Sequence, residues 1–110
     1  MVVKQRDIVE LNFLMVDGIY KPHPAIVMSN NELFEDEGFF YCCMISTKTY
    51  NPQYIFALDN SMLIKPLVQK SFVKCQIIGG FTERDIIKQI TAMRAEPFIL
   101  LTKKVQNSIF

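Results

Sequence analysis

Val9, Leu11 and Phe13 are apolar and alternate with the polar Glu10 and Asn12. That period of two predicts a strand over residues 7–13 with one solvated face. Asp17-Gly18 marks a turn behind it. Lys21-Pro22-His23-Pro24 follows, where each proline fixes its own φ and pushes the preceding residue towards extended backbone. Residues 25–28 read as a buried strand ending at Ser29-Asn30-Asn31. Four acids, Glu32, Glu35, Asp36 and Glu37, then predict an exposed loop. Residues 39–46 are the most apolar piece of the chain and predict a central strand covered on both faces. A loop around Asn51-Pro52 separates it from a strand over 54–58, which Asp59-Asn60 ends. A further strand is predicted over 71–78, stopped or bent by Gly79-Gly80.

The last third supports two readings between residues 82 and 94. Thr82 and Asp85 have capping-box spacing, Phe81 can staple against Ile86, and Ile86, Ile87, Ile90 and Met93 fit one helical face. Residues 89–93 fit a closing strand equally well. Beyond them, Glu96-Pro97 resembles a first helical turn, and Phe98, Leu101, Val105 and Ile109 repeat at spacings of three and four, which predicts a C-terminal helix. Several short strands joined by turns, then one helix, argue for a mainly β fold, a small barrel with a C-terminal helix. A chain of 110 residues is expected to form a single domain over 1–110.

Composition narrows the classes. Half the residues are hydrophobic, which excludes disorder as the bulk state. The net charge is +1, so the chain is no polycation, although the four clustered acids leave twelve basic residues against seven acidic ones elsewhere. A basic surface is compatible with that balance. Cys42, Cys43 and Cys75 are an odd number, and read as reduced, buried thiols of a cytoplasmic protein rather than a disulfide framework. The opening Met1-Val2-Val3-Lys4-Gln5-Arg6 lacks the apolar region of a signal peptide, and the longest apolar run, 39–45, is seven residues against the ~20 that span a bilayer. No membrane role, cofactor or metal is expected. Walker, dinucleotide and zinc spacings are missing, and the acidic stretch has no ligand motif.

Four segments, in order, resemble one family. Gln5-Arg6-Asp7-Ile8-Val9 is similar to the Gly-Asp-Ile-Val opening of the MazF/PemK toxins, and Pro24-Ala25-Ile26-Val27-Met28-Ser29 to their Arg-Pro-x-x-Val-x-Ser second-strand motif. Met44-Ile45-Ser46-Thr47 sits where that family ends a strand in Ile-Thr or Ile-Ser, and Lys70-Ser71-Phe72-Val73-Lys74 resembles a later strand opening on Ser. The resemblance spans roughly residues 5–108. It implies an SH3-like barrel, a homodimer, and the toxin half of a type II toxin–antitoxin pair with an antitoxin protein as partner. It also implies metal-independent endoribonuclease action on single-stranded RNA, at the start of the second strand and the end of the third. It favours the closing strand over the helix before residue 94. One position departs: the family's catalytic Arg precedes the second-strand proline, and this chain has His23 there.

Cleavage through the 2′-hydroxyl needs a base, an acid and stabilisation of the phosphorane charge. Arg offers a five-donor fork, which His cannot copy, but His can move a proton near neutrality. The catalytic candidates are therefore His23 as acid or base, with Ser46 or Thr47 donating to phosphate. The RNA-binding candidates are Lys21, Lys48, Lys70 and Lys74, which can track a backbone, and Tyr50, which can stack on an unpaired base. Each has a plainer reading. His23 between two prolines is a rigid-loop residue, Ser46 and Thr47 cap a turn, the lysines are solvated charges, and Tyr41 and Tyr54 belong to the core. The alternative function is a non-catalytic barrel of the same family that binds nucleic acid or protein and has lost the arginine.

Overall fold

The structure is a computed structural model that describes residues 3–110; Met1 and Val2 of the opening stretch lie outside the described residues. Six strands are formed: β1 (Asp7–Leu14), β2 (Tyr20–Val27), β3 (Phe39–Ser46), β4 (Ile55–Leu58), β5 (Ser71–Thr82) and β6 (Ile86–Ala92). Two α-helices join them, α1 (Asn31–Glu37) and α2 (Ala95–Ile109). The strands make one antiparallel sheet in the order β4-β5-β3-β2-β1-β6.

The alternating pattern does what was expected of it in β1 and β3. Successive side chains of β3 go to opposite faces, and both faces are apolar. Cys43 and Ile45 join Ile8, Ile26, Val73, Cys75 and the α2 residues Phe98, Leu101 and Val105 in one buried cluster. Cys42 and Met44 join Val9, Leu11, Phe13, Ala25, Val27 and Phe40 in a second, on the other side of the sheet. The first cluster is roofed by α2. The second is closed by the curl of the sheet, with Phe34 of α1 and Phe81 of β5 packed against it.

Three readings are revised or resolved. The acidic stretch is a helix, not a loop. Asn30 accepts a hydrogen bond from the Leu33 N–H at its start, and Gly38, at φ 76°, donates to Phe34 O at its end. Gly79-Gly80 does not stop β5, which runs on to Thr82; a Cβ at Gly79 would stand 3.1 Å from the Phe81 ring, so glycine is what lets that ring lie along the strand. The capping box at Thr82 and Asp85 is real, with Thr82 N–H donating to Asp85 Oδ2 at 2.8 Å, but it organises a single 3₁₀ turn. The chain then enters β6, which pairs with the free edge of β1. Long-range pairing there outweighs a helical spacing of isoleucines.

The sheet is also not closed into a barrel. β4 is four residues long, and the chain beyond it is too irregular to pair with β6 as a strand. The two ends are stitched instead. Leu63 makes a single bridge with Met93, Ile64 N–H donates to Ala92 O at 2.9 Å, and Arg94 N–H donates to Met62 O at 2.7 Å. Thr91 Oγ1 accepts from Lys65 N–H and donates to Lys65 O. Arg6 completes the seam: its N–H donates to Val27 O, its carbonyl accepts from Met93 N–H, and its Nη1 donates to Met93 O.

The α2 stripe does not present itself to a partner. Phe98, Leu101 and Val105 are spent inside the chain's own core, and the apolar residues that the helix leaves exposed are Ile99, Leu100 and Ile109. Leu101 is fully buried. Leu101→Ala should therefore cost about 3 kcal/mol, while Lys103→Ala on the exposed side should stay within about 0.5 kcal/mol, both read from urea unfolding midpoints.

Burial pushes the thiols up. Cys75 is raised to about 11 and Cys43 to about 12, the latter also by the neighbouring Cys75, and Cys42 is raised in the same direction. The folded state keeps these protons and the unfolded chain releases them from about pH 8.5, so the thiols' contribution is intact below that pH. It declines above it, at about 1.4 kcal/mol per pH unit per thiol. All three cysteines should resist iodoacetamide at pH 8 in the native protein and react on unfolding in guanidinium. Cys42→Ala should make the alkaline loss of stability shallower.

Candidate active site

β2 pairs with β1 along its length but with β3 over only three residues, 25–27 against 42–44. The reason lies in its prolines. The even-numbered residues of β2 direct their polar groups at β3, as Met28 just beyond the strand shows by donating its N–H to Tyr41 O at 2.8 Å, whereas Val27 O points the other way, to Arg6 N–H. Pro22 and Pro24 are even-numbered and have no N–H to give. The ladder with β3 therefore ends at Ala25, and the end of β3 is released from β2.

The notch so formed holds the leading candidates. Ala25 pairs with Met44, so the register carried two residues further sets His23 across from Ser46. The two also share a face: His23 alternates in phase with Ala25 and Val27, and Ser46 with Cys42 and Met44, all four belonging to the second cluster. Lys21 lies on the same face, two residues further along β2, and is exposed. His23 is half-buried, and the Phe13 ring meets its imidazole edge to face, centroids 6.3 Å apart at 87°. Phe13 reads from sequence only as a core position; here it also sets the imidazole plane. No hydrogen bond to the imidazole is found among the described residues.

The hydroxyls and the loop come next. Ser46 Oγ accepts the Lys48 N–H at 3.1 Å, the turn-capping contact that strand-end serines commonly make. Its hydroxyl proton remains available for donation. Thr47, Lys48 and Tyr50 are exposed in the loop that follows β3. Asn51, at φ 54°, reverses the chain into a 3₁₀ turn over Pro52–Tyr54. Ser46 pairs with Phe72 of β5, and the Lys70 ammonium sits 5.9 Å from the Phe72 ring centroid, so Lys70 reaches this end of the sheet from the far side. It also lines a cleft of about 430 Å³ with Leu58, Asp59 and Val68.

Lys74 is the residue that sequence reading placed least well. It is buried, not solvated, and its Nζ donates to Tyr50 O at 3.3 Å. A charged residue in a strand reads as a solvated face, and only its company, Val73 and Cys75 on either side, hinted at a buried position. Tyr54 is half-buried and Tyr41 exposed. Glu32, Glu35, Asp36 and Glu37 lie on or beside the exposed surface of α1. No group of three His, Cys, Asp or Glu side chains converges in metal-holding geometry among the described residues. Nor is any of their helices long and apolar enough to cross a membrane. A cleft of about 810 Å³ between Arg6, Ile64, Arg94 and Leu100 at the start of α2 contains none of the candidates.

All three thiols are buried, and burial raises their pKa values, so none is presented as a thiolate nucleophile in this fold. The register of β2 and β3 directs His23 and Ser46 to one face, with exposed Lys21 beside His23 and exposed Thr47 and Lys48 following Ser46; imidazole, hydroxyl and ammonium are groups suited to proton transfer and anion binding.

Solved structures share this arrangement of strands and helix. MazF of Deinococcus radiodurans aligns with a TM-score of 0.77 at 15% identity, covering 98% of this chain and 96% of that one. The Mycobacterium tuberculosis toxin MazF-mt6 aligns at 0.74 and 18% identity, covering 94% and 95%. An endoribonuclease solved with its cognate antitoxin from a mycobacterial species aligns at 0.76 and 11%, covering 96% and 92%. At these identities the likeness speaks for the fold. No curated protein sequence matches the chain. A sequence profile does, over residues 4–109, and by that match the chain belongs to the PemK-like, MazF-like toxins of type II toxin–antitoxin systems.

Proposed function

We propose that this toxin is an endoribonuclease that cuts single-stranded RNA through the 2′-hydroxyl, without a metal, in the notch between β2 and β3. The observation that supports the reading is the β2–β3 register: Ala25 faces Met44 on the second-cluster face, and two residues further on that register leads to His23 and Ser46, where Pro22 and Pro24 have no N–H to extend the ladder. In this reading His23 transfers a proton, Ser46 or Thr47 donates a hydrogen bond to the scissile phosphate, and Lys21 and Lys48 offset its charge. Tyr50 stacks on a neighbouring base and Lys70 draws the backbone in. Residues 1–110 act as one domain in the cytoplasm. Neighbouring structures that include an antitoxin, the mycobacterial complex and a MazE–MazF complex of D. radiodurans, support an antitoxin protein as partner. Exposed Ile99 and Leu100 on α2 are available to a second copy of the chain in a homodimer.

One observation favours the second reading, a barrel-derived fold that binds RNA or protein without cutting. Among the described residues the imidazole has no hydrogen-bond partner that would select its tautomer, which a general acid or base ordinarily has. A single experiment separates the two. Purified protein is mixed with a varied single-stranded RNA pool in chelator, and products are mapped for 2′,3′-cyclic phosphate ends. The expected result is cleavage that falls by about 10²–10⁴ in His23→Ala, and by a smaller factor in Ser46→Ala. RNA that is bound but left intact, or cleavage that His23→Ala leaves unchanged, sinks the catalytic assignment.

A further inference from the structure

Among the described residues, Lys74 is the only lysine or arginine that is buried, at 6% exposed. It stands on β5 opposite Ile55, and its neighbours Val73 and Cys75 point into the α2-side cluster. Lys74 therefore points to the opposite face, where its ammonium meets the loop after β3. It donates to Tyr50 O at 3.3 Å and lies 6.0 Å from the Tyr50 ring centroid. Among the described residues no carboxylate forms an ion pair with it. The Tyr50 ring itself is 72% exposed.

The loop is thus pinned at both ends. Ser46 Oγ takes the Lys48 N–H at its start, and Lys74 holds the Tyr50 carbonyl and ring near its end. Between them lie Thr47, Lys48 and Thr49. A loop so short with two fixed points has little freedom left to lose when a ligand arrives, and ordering cost is what preorganisation removes.

We propose that Lys74 is a positioning residue: it fixes the 47–51 loop and sets the exposed Tyr50 ring as a stacking platform for one unpaired base of RNA, without touching phosphate itself. The proposal rests on the RNA reading given above. Its physical basis is the contrast in burial. Lys21, Lys48 and Lys70 are exposed and free to meet a backbone, whereas Lys74 is enclosed and already engaged with the loop. Stacking on an aromatic side chain tolerates any base, so the platform contributes affinity more than sequence choice.

The test is a double-mutant cycle on binding of single-stranded RNA carrying 2′-O-methyl groups, which cannot be cut, read by fluorescence anisotropy across a salt series. Lys74→Met and Tyr50→Ala should each weaken binding about tenfold. The double variant should be no weaker than Tyr50→Ala alone, and the salt slope of Lys74→Met should match that of the unaltered protein. Lys74→Arg, which can still donate to the Tyr50 carbonyl, should restore most of the affinity. Additive losses, with a salt slope shallower by about 0.7, would mean a direct phosphate contact and overturn the proposal. Amide exchange of the free protein gives the second measurement. Lys74→Met should speed exchange over residues 47–53 and leave β1 and β2 unchanged; unaltered exchange in that loop overturns the tether even if affinity falls. Should the unaltered protein bind no RNA, the substrate reading and the platform fail together, and the exchange rates still decide whether Lys74 holds the loop.

Discussion

A strand buried on both faces constrains everything around it. β3 sends Cys43 and Ile45 to one side and Cys42 and Met44 to the other, and neither side can be left to water. One helix can roof one face only. α2 does so with Phe98, Leu101 and Val105, which leaves the second face to be covered by whatever the sheet can supply. The sheet supplies it by curling. β5 reaches past its irregular centre to lay Phe81 over the second cluster, and between Cys43 and Ile45 its register slips, the partner jumping from Ile78 to Val73. Extra residues on one strand bend it and increase its twist. Gly79 belongs to the same device, since a Cβ there would crowd the Phe81 ring at 3.1 Å.

Curling brings the two edges near each other without joining them, and the seam between them has its own cost. Arg6 holds φ at 80°, the left-handed region that side chains avoid at roughly 1–2 kcal/mol. The family opening that this segment resembles carries glycine there. Arg6 offsets the strain with three hydrogen bonds, one to Val27 O at the end of β2 and two to the Met93 N–H and O just after β6. The guanidinium does work that a glycine cannot, tying β6 to the start of β1. Asp7 beside it is buried, and that burial holds its carboxyl above the ordinary value against the opposing pull of the Lys4 N–H and the charges of Lys4 and Arg6.

How far the sequence spoke depended on whether the deciding interaction was local. β1 and β3 were legible because alternation and a long apolar run are local patterns that tertiary packing reinforces. α1 was hidden by its own charge: four acids suggested a solvated loop, while the informative residues were Asn30 and Gly38, which cap it, and Phe34, which anchors it to Phe40. β6 was undecided because two true signals competed. The capping box forms, but its helix stops after one turn, since the unpaired edge of β1 offers a run of backbone hydrogen bonds and an isolated helix does not. Closure into a barrel failed at the four residues of β4, a length that composition does not reveal. At the candidate site, the strand read over 25–28 in fact begins at Tyr20 and runs through both prolines, because pairing with β1 needs no N–H from Pro22 or Pro24; the consequence, a ladder with β3 that ends at Ala25, depends on which edge the missing N–H groups face. Lys74 was misread because burial of a lysine is decided by a loop more than twenty residues away.

The exchange of arginine for histidine in the second-strand motif can be weighed on these same geometric terms. Arginine joins two properties in one side chain, a permanent charge and a donor fork, and loses neither near neutrality. Histidine at position 23 gives up the fork. Residues two apart on a strand share a face and stand about 7 Å from each other, the distance between adjacent phosphates being similar. Lys21 is such a neighbour of His23, exposed on the same face. Under the proposed function, a fixed cation and an imidazole at that spacing would divide between two side chains what the motif this segment resembles carries on one, with the imidazole adding a proton that can move. The division has a structural requirement: both residues must stay in extended backbone, on one face, and out of the β3 ladder. Pro22 and Pro24 favour all three conditions, because each holds its predecessor extended and neither has an N–H to donate to β3. The prolines flanking His23 are therefore the part of the site on which the substitution depends.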